Sequence, residues 1–166
     1  MLIRQHIVLV FASIAIAVVI GMPTGILLTR YRSLRSPVLG LANIMQTVPS
    51  LALFGFLIPL PFIGGIGSRT ALVALVLYSL LPIIRNTVTG VLGVEPSIRE
   101  AAVAMGMTDG QVLRQVELPL AMGVIVTGIR VATVIAVGVT TIAAAVGEDF
   151  KAANPAVAAP LPLKRP

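Results

Sequence analysis

Chemistry has few places to sit in this sequence. It has no cysteine and one histidine, His6, which excludes disulfides and thiolate metal centres and leaves no cluster able to hold a metal. His6, ahead of an apolar run, reads as a bland juxtamembrane residue, with a titrating switch as the rival reading. No Gly-x4-Gly-Lys-Ser/Thr loop is present to cradle nucleotide phosphates. The chain is therefore not expected to be an enzyme by itself, and no residue is assigned a catalytic role. The remaining polar groups fall within apolar segments: Asn43, Gln46, Thr47 and Ser50 in one, Tyr78 and Ser79 in the next with Asn86 and Thr87 just past it, and Thr140 and Thr141 in the last. Such groups face protein or water, either bonding between helices or lining a translocation path. Arg130 is the one charge set about ten residues into an apolar segment, roughly 15 Å at the helical rise. It either snorkels to an interface or pairs inside a bundle, and snorkelling is the reading preferred here.

The elements that must position these residues are membrane helices. Hydrophobic residues make up 57% of the chain and charged ones 11%, with a mean hydropathy of +1.04, too few charges to cover a soluble domain. Four apolar segments approach the length that a hydrocarbon core of about 30 Å requires: Ile7 to Leu28, a stretch within Val38 to Ile63, Ala71 to Ile84, and Leu120 to Gly147. In lipid only helices satisfy such backbones. The expected fold is an all-α, polytopic transmembrane helical bundle of about four spans. Gly21, Pro23 and Gly25 are expected to break or kink the first span. Gly40 and Pro49, then Pro59 and Pro61, mark the second, a length that suits a broken or tilted helix; close packing is the simpler alternative.

Charge sets the orientation. Arg30, Arg32 and Arg35 follow the first span, and Arg85, Arg99 and Arg114 follow the third, whereas Arg69 stands alone between the second and third. Both arginine-rich loops fall on one side, which is therefore cytoplasmic, with Arg4 on the outside as a minor conflict. The net charge of +6 does not point to nucleic acid, because the arginines lie between apolar runs and form no basic, aromatic-interleaved stretch. A cleaved signal peptide is disfavoured, because the only Ala-x-Ala near the N-terminus, Ala15-Ile16-Ala17, lies inside the apolar run.

The stretch Glu95 to Pro119 is the only sizeable polar segment between spans. Ser97 is expected to cap a helix, with Glu100 completing a capping box. Ile98, Ala101, Ala102 and Met105 share one face at helical spacing. Gly106 ends this helix, Thr108 starts a second with Gln111 three residues on, and Val112, Leu113 and Val116 form its apolar side. Two short amphipathic helices joined by a glycine turn suit three roles: a DNA-binding helix-turn-helix, which flanking membrane spans argue against, a passive interfacial helix, or a docking element for a cytoplasmic partner. The polar face is mixed, not basic, which counts against the interfacial role.

Glu100-Ala101-Ala102, then Gly106, then Val116-x-Leu118-Pro119 resembles the EAA loop of bacterial ABC-importer permeases, with Val116 where isoleucine is usual. The runs Leu41 to Ala52 and Leu77 to Thr87 resemble the glycine betaine, carnitine and choline branch, and the similar regions cover roughly residues 6 to 147. The resemblance implies a permease in the bacterial inner membrane whose residues 95–119 couple to cytoplasmic ATPase subunits through Ser97, Glu100, Ala101, Ala102, Gly106, Leu118 and Pro119. It also implies ATP held on the partner with no cofactor in this chain, a second permease subunit and an external substrate-binding protein. The candidate path residues, read from their polarity within the spans and with interhelical bonding as the alternative, are Asn43, Gln46, Thr47, Ser50, Tyr78, Ser79, Asn86 and Thr140. Tyr31 and Tyr78 are the only tyrosines and there is no tryptophan for an aromatic cage around a quaternary ammonium, so high-affinity recognition is expected on the external protein. Permeases of this kind continue beyond the equivalent of Val146-Gly147 with a further helix. Here residues 1–147 are expected to form the permease domain and 148–166 a disordered Ala/Pro-rich tail, as from a frameshift or truncated gene. The rivals are a truncated, non-transporting scaffold, a permease for another small solute, and an ion-coupled transporter. The last lacks the acidic residue it would need within a span.

Overall fold

A computed structural model describes residues 2–57 and 68–153 of the chain. All regular structure among them is helical: α1 (Leu2–Arg30), α2 (Arg32–Thr47), α3 (Ser50–Leu57), α4 (Ser68–Leu92), α5 (Pro96–Ala104), α6 (Asp109–Gln111), a π-helical turn (Val112–Glu117) and α7 (Leu118–Ala153). Among the described residues three helices are long and apolar enough to cross a membrane, over His6–Arg30, Thr70–Leu92 and Asp109–Thr141. The second expected span is present in two pieces, α2 and α3, divided at Val48-Pro49 where Val48 turns extended (φ −70, ψ 124). Proline disfavours helix at the residue before it, which explains the break. Pro59, Pro61 and Ile63 lie outside the described residues, as do residues 154–166 of the tail expected from 148 onward. α7 itself runs on to Ala153.

Two sequence expectations are corrected. α1 is not broken: the helix is continuous through Gly21, Pro23 and Gly25. Gly25 serves helix packing instead, because a Cβ there would lie 2.6 Å from the Cβ of Thr87 on α4. Gly40 does not interrupt α2 either. The third span is also longer than its apolar run, since α4 continues past Arg85 and Asn86 to Leu92.

α4 is the central element, with α1 and α7 packed along it. Ala17, Leu75, Ile83, Ala132 and Ala136 form the core where the three meet. On the α7 side Gly128 permits close approach, since a Cβ there would lie 2.6 Å from Asn86 Cβ and 2.8 Å from the Pro82 carbonyl. Between helices in lipid, where burial away from water no longer drives association, such backbone approach is what brings the surfaces into dispersion contact. The inner end of α1 is fixed by Arg35, which donates to the carbonyls of Leu28 (3.2 Å) and Thr29 (3.3 Å). A cation on the last carbonyls of a helix satisfies orphan acceptors and complements the helix dipole.

Candidate functional site

At the end of the bundle where α1 finishes and α7 begins, the polar stretch folds back against the span ends. α5 starts with Glu95 as N-cap and Pro96 in the first turn, where its missing N–H is not needed. Ser97 is therefore inside the helix and not its cap. Its hydroxyl donates to Glu95 Oε1 at 2.8 Å, and the expected Ser97–Glu100 capping box does not form. Gly106 ends the helix as expected, at φ +87, a conformation that L side chains rarely adopt. The N–H groups of Met105, Gly106 and Met107 close the turn on the carbonyls of Ala101, Val103 and Ala102 at 3.0, 2.9 and 3.2 Å. Thr108 opens the next helix, its N–H donating to Gln111 Oε1 at 2.8 Å.

The two faces of this unit differ. Ala102 and Val112 are buried, and Leu113 and Leu118 pack against the α4–α7 cluster of Val91, Ala121 and Ile125. Ser97, Glu100, Ala101, Gly106 and Pro119 are exposed, and so are Ile98 and Met105, the latter at 76%. Five of the seven coupling-loop residues named from sequence are thus exposed, while Ala102 and Leu118 face the spans.

The residue that joins the unit to the bundle is Glu117, which the sequence alone does not single out. Its side chain is 2% exposed. Arg30, the last residue of α1, donates Nη2 to Glu117 Oε2 at 3.2 Å, and Arg99 of α5 places Nε 2.6 Å from Oε1. The Arg99 contact is an ion pair, not a well-aligned hydrogen bond. The same guanidinium donates Nη2 to the Val91 carbonyl in the last turn of α4 at 3.0 Å. One buried carboxylate and two arginines therefore connect α1, α4, α5 and the start of α7. A carboxylate this buried is unfavourable without compensation, and here two cations supply it. The wider π-helical turn ends on Glu117 and leads directly into α7. The signal legible in sequence was a lone carboxylate next to Leu118-Pro119, with Arg30 and Arg99 credited only with setting orientation.

The proposed path residues are not gathered in one place. Asn43, Gln46 and Thr47 lie exposed on α2. The side chain of Ser50 lies outside the described residues. Tyr78 is in the core, its hydroxyl donating to the Val48 carbonyl that the α2–α3 break frees. Ser79 is fully buried, and its hydroxyl has no partner among the described residues. Asn86 donates to the Pro82 carbonyl at 2.8 Å against Gly128. Thr140 donates to the Ala136 carbonyl at 2.6 Å and borders a cleft of about 370 Å³ between α1 and α7. Arg130 is exposed on α7.

With this geometry in hand, relatives are informative. Residues 7–159 match the family described as "binding-protein-dependent transport system inner membrane component". The osmoprotectant import permease protein OsmW of Salmonella typhimurium is 50% identical over 145 residues, covering 86% of this chain and 67% of that protein. The glycine betaine/carnitine/choline transport system permease protein OpuCD of Bacillus subtilis is 46% identical over 143 residues, 86% of this chain. The chain spans 61% of that protein's length. Among solved structures, an inward-facing MetNI methionine ABC transporter has a chain that superposes with a TM-score of 0.77 at 26% identity, covering 91% of this chain and 77% of that one.

Proposed function

The chain belongs to the family of binding-protein-dependent transport system inner membrane components, and from that premise we propose that it is the permease subunit of an ATP-driven importer of betaine-type osmoprotectants. The observation that supports this reading best is the exposed face of α5, carrying Ile98, Glu100, Ala101 and Met105, on a helix anchored to three others through Arg99 and Glu117. A short helix with an outward apolar and acidic face, pinned to the span ends, suits a cytoplasmic ATPase that pushes or pulls on it. Displacement of α5 then reaches α4 through the Val91 carbonyl and α1 and α7 through Glu117. Hydrolysis belongs to the ATPase partner, which holds the nucleotide, and the membrane assembly contains a second permease subunit. An external binding protein supplies solute, in keeping with the shortage of tyrosine and the absence of tryptophan for a quaternary-ammonium cage.

The test is uptake into proteoliposomes holding the chain with its ATPase and binding protein. Accumulation of labelled glycine betaine, carnitine or choline that requires ATP inside and binding protein outside is expected. Accumulation of none of the three, from an assembly that hydrolyses ATP, would rule out this solute class.

A further inference from the structure

Arg130 is not explained by the coupling unit. It sits on an exposed stripe of α7 made by Thr127, Arg130, Val134, Val137 and Thr141, which recur every three or four residues and so share a face. Its depth follows from two registers. α7 begins at Leu118, beside the Glu117 ion pairs, and the twelve residues on to Arg130 rise about 18 Å. Gly128, two residues earlier, packs on Pro82, which lies in the middle of the Thr70–Leu92 span. An arginine side chain leans back toward the helix start and reaches roughly 7 Å, which leaves its head about 10 Å short of that end. Snorkelling, the reading preferred from sequence, does not carry the guanidinium back to the start of α7.

A guanidinium facing hydrocarbon at this depth is unfavourable, so this face meets water or protein. No countercharge stands beside it among the described residues. Among the described residues Arg130 has no hydrogen bond or ion pair. The six carboxylates of the sequence are Glu95, Glu100, Asp109, Glu117, Glu148 and Asp149, none of them between 118 and 147 or before 95. A second copy of this chain would bring another Arg130 to this level and no acid. A mobile anion would supply the missing countercharge. Space for it exists, since Gly123 and Gly138 beside the stripe have nothing within 4 Å of where a Cβ would stand. At its outer end the stripe reaches Val137 and Thr141, which with His6 and Phe11 border the cleft of about 370 Å³.

We infer that the Arg130 face of α7 lines the solute path and that its guanidinium pairs with the carboxylate of a zwitterionic solute in transit. The solute class rests on the osmoprotectant reading above. The planar fork of arginine matches a carboxylate through two parallel N–H donors, a geometry that a lysine provides only as a point charge. Glycine betaine and carnitine carry that carboxylate; choline does not. Arg130 is then a specificity-determining residue that favours the carboxylate-bearing solutes.

The experiment compares uptake of glycine betaine, carnitine and choline by the reconstituted importer with wild type, Arg130→Gln and Arg130→Lys. Loss of a charge-assisted pair predicts at least a roughly tenfold fall for the two carboxylate solutes in Arg130→Gln, with choline changed less than about twofold. Arg130→Lys should retain more betaine uptake than Arg130→Gln. Equal loss for all three solutes, or no loss, overturns the assignment. A second measurement is independent of solute. Because the chain has no cysteine, Arg130→Cys and Thr127→Cys can be probed with an anionic, membrane-impermeant methanethiosulfonate. Modification of both is expected, and an inert Arg130→Cys overturns the aqueous face even if uptake is normal. If wild type accumulates none of the three solutes, the osmoprotectant reading and the carboxylate assignment fall together, whereas labelling still decides whether the face is wet.

Discussion

Replacing Glu117 with glutamine keeps the shape of the side chain and removes its charge, which isolates the electrostatic part of the α5 anchor. Unit charges about 4 Å apart interact by roughly 4 kcal/mol at an effective dielectric of 20. Both arginine side chains are partly solvated, at 43% exposure for Arg30 and 33% for Arg99, so screening lowers each pair well below that value. The amide also keeps one acceptor oxygen for a guanidinium. A net loss of about 1 kcal/mol per pair, about 2 kcal/mol in all, is the resulting magnitude. That shifts the balance between seated and released α5 by roughly thirtyfold. Hydrogen exchange in detergent reads this at the Met105, Gly106 and Met107 amides, whose bonds close the end of α5. Protection there should fall by about that factor in Glu117→Gln, while amides around Ala132 and Ala136 in the core of α7 stay unchanged. Arg114→Gln is the control, because Arg114 is exposed and takes part in neither ion pair. Unchanged protection in Glu117→Gln, or an equal loss in Arg114→Gln, would refute the anchor.

Other perturbations probe separate parts of the frame. Gly25→Val and Gly128→Val push side chains into contacts already at 2.6 Å for a bare Cβ, and each should cost about 1–3 kcal/mol, seen as a lower melting temperature by size-exclusion in detergent. Gly138→Ala, with nothing within 4 Å, should melt no lower than wild type. Tyr78→Phe removes the hydroxyl that holds the Val48 carbonyl and should cost about 1 kcal/mol, with faster proteolysis near the α2–α3 break as the readout. Gly106→Ala must enter a positive-φ conformation at a cost of about 1–2 kcal/mol, and exchange at Gly106 and Met107 should rise while the span core is unaffected.

The spans were legible because lipid allows so few solutions. Apolar runs of sufficient length become helices, and the arginines mark one side, the side on which the structure brings Arg30 and Arg99 together. The first helix of the loop and the turn after it were equally readable, since Pro96, Gly106 and Thr108 punctuate them locally, but the expected second short helix does not end at Pro119 and runs on into α7. What sequence did not settle was whether a Gly or Pro breaks a helix or lets another approach. Pro23 sits within an unbroken α1, whereas Pro49 coincides with a real break whose freed carbonyl Tyr78 accommodates from thirty positions away. Ser97 looked like a cap because a serine three residues before a glutamate has that pattern; Pro96 starts the helix earlier and takes the cap to Glu95. Glu117 was missed for a different reason. Its partners lie 87 and 18 positions away, and no local periodicity announces an ion pair that only the packing of α1, α5 and α7 creates.

The central claim is that the outward face of α5 is where an ATPase engages this chain, and detergent co-purification with that ATPase tests it most directly. Wild type should retain the ATPase. Glu100→Arg, which reverses an exposed charge on that face, and Gly106→Pro, which forbids the turn, should lose it while remaining folded by exchange in the α4–α7 core. A well-folded wild type that retains no ATPase, or a Glu100→Arg variant that retains it as fully as wild type, would contradict the account.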